Sequence, residues 1–272
     1  MQTLPSHSAL RTPHSAIDWL LWQLADSAFP TGSFAHSAGL EAAWQHSEVR
    51  NRAELLSFLE ASLHQLGRGA LPFVTAAYGE PERLDEFDEW CDAFTTNHVA
   101  NRASRLQGRA FFAALERIFV ASGGPHAPSR VAVGASPAAG ASGQNIGQAS
   151  SLSPNAGTSF RSQNWAGWKP ALRFAHFAPV FGAVASKLGI GHETATRLFF
   201  FNHLRSSLAA AVRLNIVGPM DAQTIQLQLA PRAEEIRAQS DALTLDDVAQ
   251  TSPPLDLWQG TQDRLYSRLF QS

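Results

Sequence analysis

The chain has a single cysteine, Cys91, in 272 residues, which excludes an internal disulfide and any multi-thiolate zinc site built from one copy. Lysine is nearly missing as well. Lys169 and Lys187 are the only two, so almost all positive charge is arginine, whose planar guanidinium suits bidentate contacts at protein interfaces. No run approaches the roughly 18 apolar residues of a membrane span, and the first sixteen residues hold no continuous apolar stretch of a secretion signal. With a formal net charge of −2, no global field draws the chain to nucleic acid or to an anionic membrane. What these absences leave is a cytoplasmic protein, frayed over residues 1–15, that works without nucleic acid or membrane. Its 44% hydrophobic residues can supply a sizeable core.

Several chemistries fail on spacing. His192 and Glu193 open a zinc-protease HExxH pattern, but Thr196 stands where the second histidine would fall one turn on. The turn Pro30-Thr31-Gly32-Ser33 has neither the glycine spacing nor the lysine of a phosphate-binding loop. There is no GxSxG elbow, and Cys91 with His98 seven residues on makes no catalytic pair. No two histidines have i, i+4 ligand spacing on a helix, so a one-chain nickel or zinc site is unsupported. His36 is the candidate should a symmetric dimer share a metal. The sequence implies no cofactor and no catalytic residue. A rival from another class is a helical enzyme holding a cofactor between His36, His203 and a central helix; a second is a nickel-binding metallochaperone.

What is present is helical periodicity from end to end. Ile17 to Asp26 reads as a helix, then a sharp turn, then a helix from Ser33 to His46 capped by Ser33 or Ser37. Arg52 to Leu66 follows, with Gly67 and Gly69 as C-caps. Pro72 opens a short helix, and Pro81 an acidic one whose charges read as a solvated face. Asn97 to Val120 carries an apolar stripe of Val99, Ala103, Leu106, Ala110 and Ala113, and sets Arg102, Arg105 and Arg109 on one face. His176 to Ile190 is a short apolar helix, and His192 to Val217 reads as the central, most apolar one. Asp221 caps the next helix, Thr244 and Asp247 form a capping box, and Gly260 to Ser272 is an amphipathic terminal stretch. The expectation is an all-α fold, one helical domain over residues 16–272 with about ten helices. A Gly/Ala/Ser/Pro-rich stretch, 123–165, interrupts it without hydrophobic period and reads as a flexible, disordered insertion.

The stretch from Leu24 to Glu41, LADSAFPTGSFAHSAGLE, organises the rest, because it places an unusual turn and helix start between two helical runs. With NHVANRASRLQGRAFF from Asn97, HFAPVFGA and the long helix after it, and the terminal LYSRLF, it resembles the F-type urease accessory proteins, the UreF family. The resemblance implies an all-helical, non-enzymatic homodimer that serves as a docking platform for nickel insertion into urease. Its implied partners are the nickel-carrying GTPase (UreG type), the urease-side accessory protein (UreD/UreH type) and, through that complex, apo-urease. Carried onto this chain, it implies partner and dimer surfaces at Phe29, Pro30, Gly32, Ser33, Phe34, His36, Ser37, Gly39, Leu40 and Glu41. It implies a docking tail over 259–272 through Tyr266, Arg268, Leu269 and Phe270, ordered on the urease-side partner. Arg213 or Arg109 would be the arginine that reaches toward the GTPase phosphates.

Overall fold

The computed structural model describes residues 14–121 and 172–272, and within them every regular element is helical. Among the described residues the α-helices are α1 (His14–Ala25), α2 (Leu40–Gln45), α3 (Arg52–Gly69), α4 (Leu71–Gly79), α5 (Leu84–Phe94), α6 (His98–Ala121), α7 (Phe177–Leu188), α8 (His192–Arg213), α9 (Pro219–Ser240) and α10 (Pro253–Thr261). The all-α expectation holds. The expected insertion at 123–165 lies outside the described residues. So does the frayed segment 1–15, except its last two residues, which already belong to α1.

α7, not α8, is the central helix. Ala178 to Ala185 are all buried, because the run is apolar on every side and small enough for its neighbours to approach closely. Gly182 marks one such approach: a Cβ there would lie 2.1 Å from the Val74 carbonyl oxygen in α4. Gly108 of α6 lets the Ala175 backbone pass at similarly close range. α8 is two-sided instead, with Leu198, Phe199, Leu204 and Leu208 buried while Phe201 is exposed. Phe111 of α6 joins the layers. Its ring lies 5.9, 5.6 and 5.7 Å from those of Phe29, Phe177 and Phe181, within the range of favourable aromatic pairs. A second apolar cluster gathers Leu40, Val49, Leu55, Leu59, Leu208, Ile225 and Phe270 around α2, α3, α8, α9 and α10.

Side-chain caps set several helix starts. Asn51 Oδ1 accepts from the Ala53 and Glu54 amides at 3.0 and 3.1 Å, and Asn97 Oδ1 accepts from Val99 and Ala100, satisfying donors the helix cannot. The Thr244–Asp247 capping box forms as expected, over a short 3-10 turn. Other caps differ. α9 begins at Pro219 with Gly218 as its cap, and Asp221 lies inside the first turn. Gly67 lies inside α3, where a Cβ would meet Ser240 Oγ at 2.6 Å, so its smallness serves packing; Gly69 is the last residue of the helix, with Ala70 as the cap. On α6 the buried stripe runs through Val99, Ala103, Phe111 and Leu115, leaving Leu106 and Ala113 exposed.

The acidic helix also departs from a purely solvated face. Asp88 is fully buried, and its carboxylate accepts the backbone N–H groups of Phe174, Ala175 and His176 at 2.9, 2.8 and 2.7 Å. A buried carboxylate is tolerated when such donors surround it. It fixes the chain where it enters α7, beside Ala175, whose φ of +61° is unusual for a residue with a side chain.

Candidate functional site

The stretch from Phe29 to Glu41 is not one continuous helix. Gly32, Ala38 and Gly39 take φ of +72°, +53° and +88°, breaking it into a 3-10 turn at Ser33–Ala35, an extended residue at His36, and α2 from Leu40. Gly39 is required twice over: its φ is left-handed, and a Cβ would sit 3.1 Å from the Gln259 amide nitrogen of α10. Ser37 still assists the helix start, its Oγ accepting from the Glu41 amide at 3.3 Å.

Into this broken segment folds the C-terminal tail. Past the 3-10 turn at Gln262–Arg264 the chain is not helical, because its amides find partners elsewhere in the fold. Glu41, 2% exposed, is the clamp. Its Oε1 accepts from the Leu269 amide at 2.5 Å, and its Oε2 from the Phe270 amide at 3.1 Å and from Gln262 Nε2 at 2.5 Å. The Gln271 amide donates to the Ala35 carbonyl at 2.8 Å, and the Ser37 amide to the Ser272 carbonyl. His36 Nδ1 meets Ser272 Oγ.

Arg213, at the end of α8, knits the two segments. Its guanidinium carbon lies 3.9 Å from the Phe34 ring centroid and 4.1 Å from that of Phe270, a double cation–π contact. Its Nη1 donates to the Phe34 carbonyl at 2.6 Å and its Nη2 to the Leu269 carbonyl at 3.4 Å. With its donors so committed it is a strut between segments, not an arginine free to reach outward. Arg109 is exposed on α6.

The candidate residues therefore divide. Phe29, His36, Ser37, Gly39, Leu40, Glu41 and Phe270 are buried, while Pro30, Gly32, Phe34, Tyr266, Arg268 and Leu269 are exposed. The first group can only shape a surface; the second can form one. Phe34 and Leu269 expose 67% and 52% of their area and Tyr266 is fully exposed, so both segments present apolar side chains to solvent, with Arg213 bridging Phe34 and Leu269. Sequence reasoning missed Gln262, Ser272 and the clamp that Glu41 makes. Nothing local signals them, since Glu41 and Phe270 are 229 positions apart.

Behind the Phe29–Glu41 segment lies a cavity of about 290 Å³, lined among others by Thr31, His36, Ser62, Cys91, Asn202 and His203. The two histidines considered as a cofactor pair do reach the same space. Burial, with Arg102 adding to it for His36, lowers both imidazoles to about 4 from an ordinary 6.5, so both are neutral at pH 7. His203 Nε2 pairs with Ser62 Oγ at 2.6 Å. Burial likewise pushes the Cys91 thiol up to about 12, which leaves it inert as a nucleophile. Among the described residues no three His, Cys, Asp or Glu side chains are grouped to hold a metal ion, and no helix is long and apolar enough to cross a membrane.

A family model named UreF matches residues 49–230. The chain is 33% identical over 272 residues to urease accessory protein F of Oryza sativa subsp. indica, covering 99% of this chain and 90% of the relative. It is 35% identical over 260 residues to urease accessory protein F of Arabidopsis thaliana, covering 95% and 94%. A Schizosaccharomyces pombe protein named as an uncharacterized UreF-like urease accessory protein is 30% identical over 263 residues, covering 92% and 94%. The family model covers two thirds of the chain and the relatives' alignments nearly all of it, and by these matches the chain belongs to the UreF family of urease accessory proteins.

Proposed function

We propose that this chain serves urease maturation as a dimeric scaffold with no catalysis of its own. It holds the nickel-carrying accessory GTPase and the urease-side accessory protein in one assembly, so that nickel is delivered to apo-urease. Membership of the UreF family supports the maturation role. One observation carries the docking reading: the broken segment and the terminal tail, which the resemblance marks separately, form a single face. There Phe34, Tyr266 and Leu269 stand exposed above the buried Glu41–Phe270 clamp. An apolar, aromatic patch set on a rigid polar base is the form of a protein-binding hot spot. The tail is thus ordered on its own chain before any partner arrives, and its exposed side chains, not its backbone, are what a partner would engage.

The test uses size-exclusion chromatography with light scattering on mixtures with the urease-side accessory protein. Truncation is a poor probe, because ending the chain at Gln259 would cut α10 and strip the buried Phe270 from the core. The Tyr266→Ala, Leu269→Asp double variant leaves the clamp intact. We expect the parent to co-elute as a dimer-based complex, and the variant to stay folded and dimeric but elute alone. Unchanged complex formation by the variant would move the docking face elsewhere.

A further inference from the structure

Beside the tail, and linked to it through Asp263 and the Gln271 carbonyl, lies the arginine side of α6. Arg102, Arg105 and Arg109 recur at i, i+3 and i+7 and line an open groove of about 520 Å³ together with Thr95, His98 and Leu106. Two more arginines join them. Arg173 lies 5.0 Å from the centroid of the Phe174 ring, on which Arg105 also stacks at 5.1 Å, and Arg268 reaches Asp263 beside Arg102. The carboxylates bonded into this region are already committed. Asp263 takes both Arg102 Nη atoms, at 3.0 and 2.8 Å. Asp92 accepts from Asn101 Nδ2 and pairs with His176, and Asp88 holds backbone amides. Among the described residues neither Arg105, Arg109 nor Arg173 has an ion pair. A chain that is net negative thus gathers guanidinium groups on one ring and one helix face, with Arg109 and Arg173 outside any ion pair among the described residues and Arg105 only in the field of Asp92.

We infer that this groove binds an acidic segment of a partner protein, a short peptide bearing carboxylates with an apolar residue among them. Guanidinium groups favour planar carboxylate partners bidentately, and two of them brought onto one ring repel each other until an anion comes between. The roughly 10 Å from Arg102 to Arg109 along the helix is spanned by about three residues of extended chain, so one segment can engage all three arginines of α6. Leu106, 44% exposed in the middle of the row, gives that segment an apolar contact that a bare phosphate would not use. The site stands whichever face the urease-side accessory protein takes.

The experiment is fluorescence anisotropy on the full chain with a labelled peptide of repeating Asp-Glu-Leu, at low and high salt. A Lys-Ser-Leu peptide serves as control and inorganic tripolyphosphate as competitor. The acidic peptide should bind, weaken with salt and lose at least about tenfold in affinity in an Arg109→Glu, Arg173→Glu variant, since each reversal turns an attraction into a repulsion. Arg232→Glu, in a separate ion-pair network with Glu60 and Glu235, should leave binding unchanged. Arg109→Glu alone guards against misfolding, because that side chain is exposed and unpaired. Equal binding by the reversed and parent chains, or no binding of the acidic peptide, would overturn the inference. So would displacement by tripolyphosphate with no loss when serine replaces the leucines, which would make the ligand a phosphate. The Tyr266→Ala, Leu269→Asp variant should keep peptide binding, which separates this site from the tail face.

Discussion

Replacing Glu41 by alanine tests the structural core of the docking face. Its carboxylate receives two backbone amides and one side-chain amide, and hydrogen bonds to a charged group contribute about 1.5–3 kcal/mol each. These are not additive, and the freed amides can regain water once the tail lifts, so the net loss is about 3–5 kcal/mol, as when one partner of a buried polar cluster is removed. Against it stand the burial of Phe270, worth about 1.5–3 kcal/mol, and the Arg213 contacts. The balance favours release of the tail without unfolding of the helices that carry it. Hydrogen exchange is the discriminating assay. The amides of Leu269, Phe270 and Gln271 should lose their protection in Glu41→Ala, while those of α7, buried along its length, keep theirs; the melting temperature should move far less than a global loss of this size would require. Glu41→Gln, which keeps the shape and one acceptor, should show an intermediate effect. Full protection of those three amides in Glu41→Ala would refute the clamp.

Two further outcomes follow from packing and titration. Gly182→Ala puts a methyl 2.1 Å from the Val74 carbonyl oxygen between two buried helices and should cost at least about 1–3 kcal/mol. Gly79→Ala, with nothing within 4 Å, should be neutral or stabilising by up to about 1 kcal/mol; thermal melting of both variants checks the contrast, and equal melting points would refute it. His36 and His203, held at about 4, take up protons in the unfolded chain below 6.5 but in the folded chain only near 4. Stability should therefore fall as pH drops through that window, by on the order of 3 kcal/mol for His36 alone, and His36→Gln should flatten the slope in urea titrations; an unchanged slope would count against its burial as the cause.

The local elements were legible because their causes are local. Pro72 and the Thr244–Asp247 pair act within a turn of themselves, and the 3.6-residue period of apolar residues reports one face at a time. The same reasoning erred where a residue answers to something distant. Gly67 looked like a helix end because glycine often is one, yet Ser240 of α9 occupies the space a Cβ would need there. Asp88 looked like one more surface charge in an acidic run, yet three amides from residues 174 to 176 enclose it. Leu106 and Ala113 fit an apolar stripe by spacing alone, but which of two nearly equivalent stripes faces inward depends on what packs against the helix.

The sequence by itself determined that this is a helical protein with no internal disulfide, no multi-thiolate metal site within one chain and no apolar run of membrane-spanning length, and its ordered motifs pointed to the UreF family, because composition, period and signature are properties of short stretches. Only the tertiary structure decided that α7 is central, that the tail closes as a non-helical strap on Glu41, and that Arg213 is bound between Phe34 and Phe270. Those contacts join residues up to 236 positions apart, and their energy exists only once the intervening helices have brought the partners together.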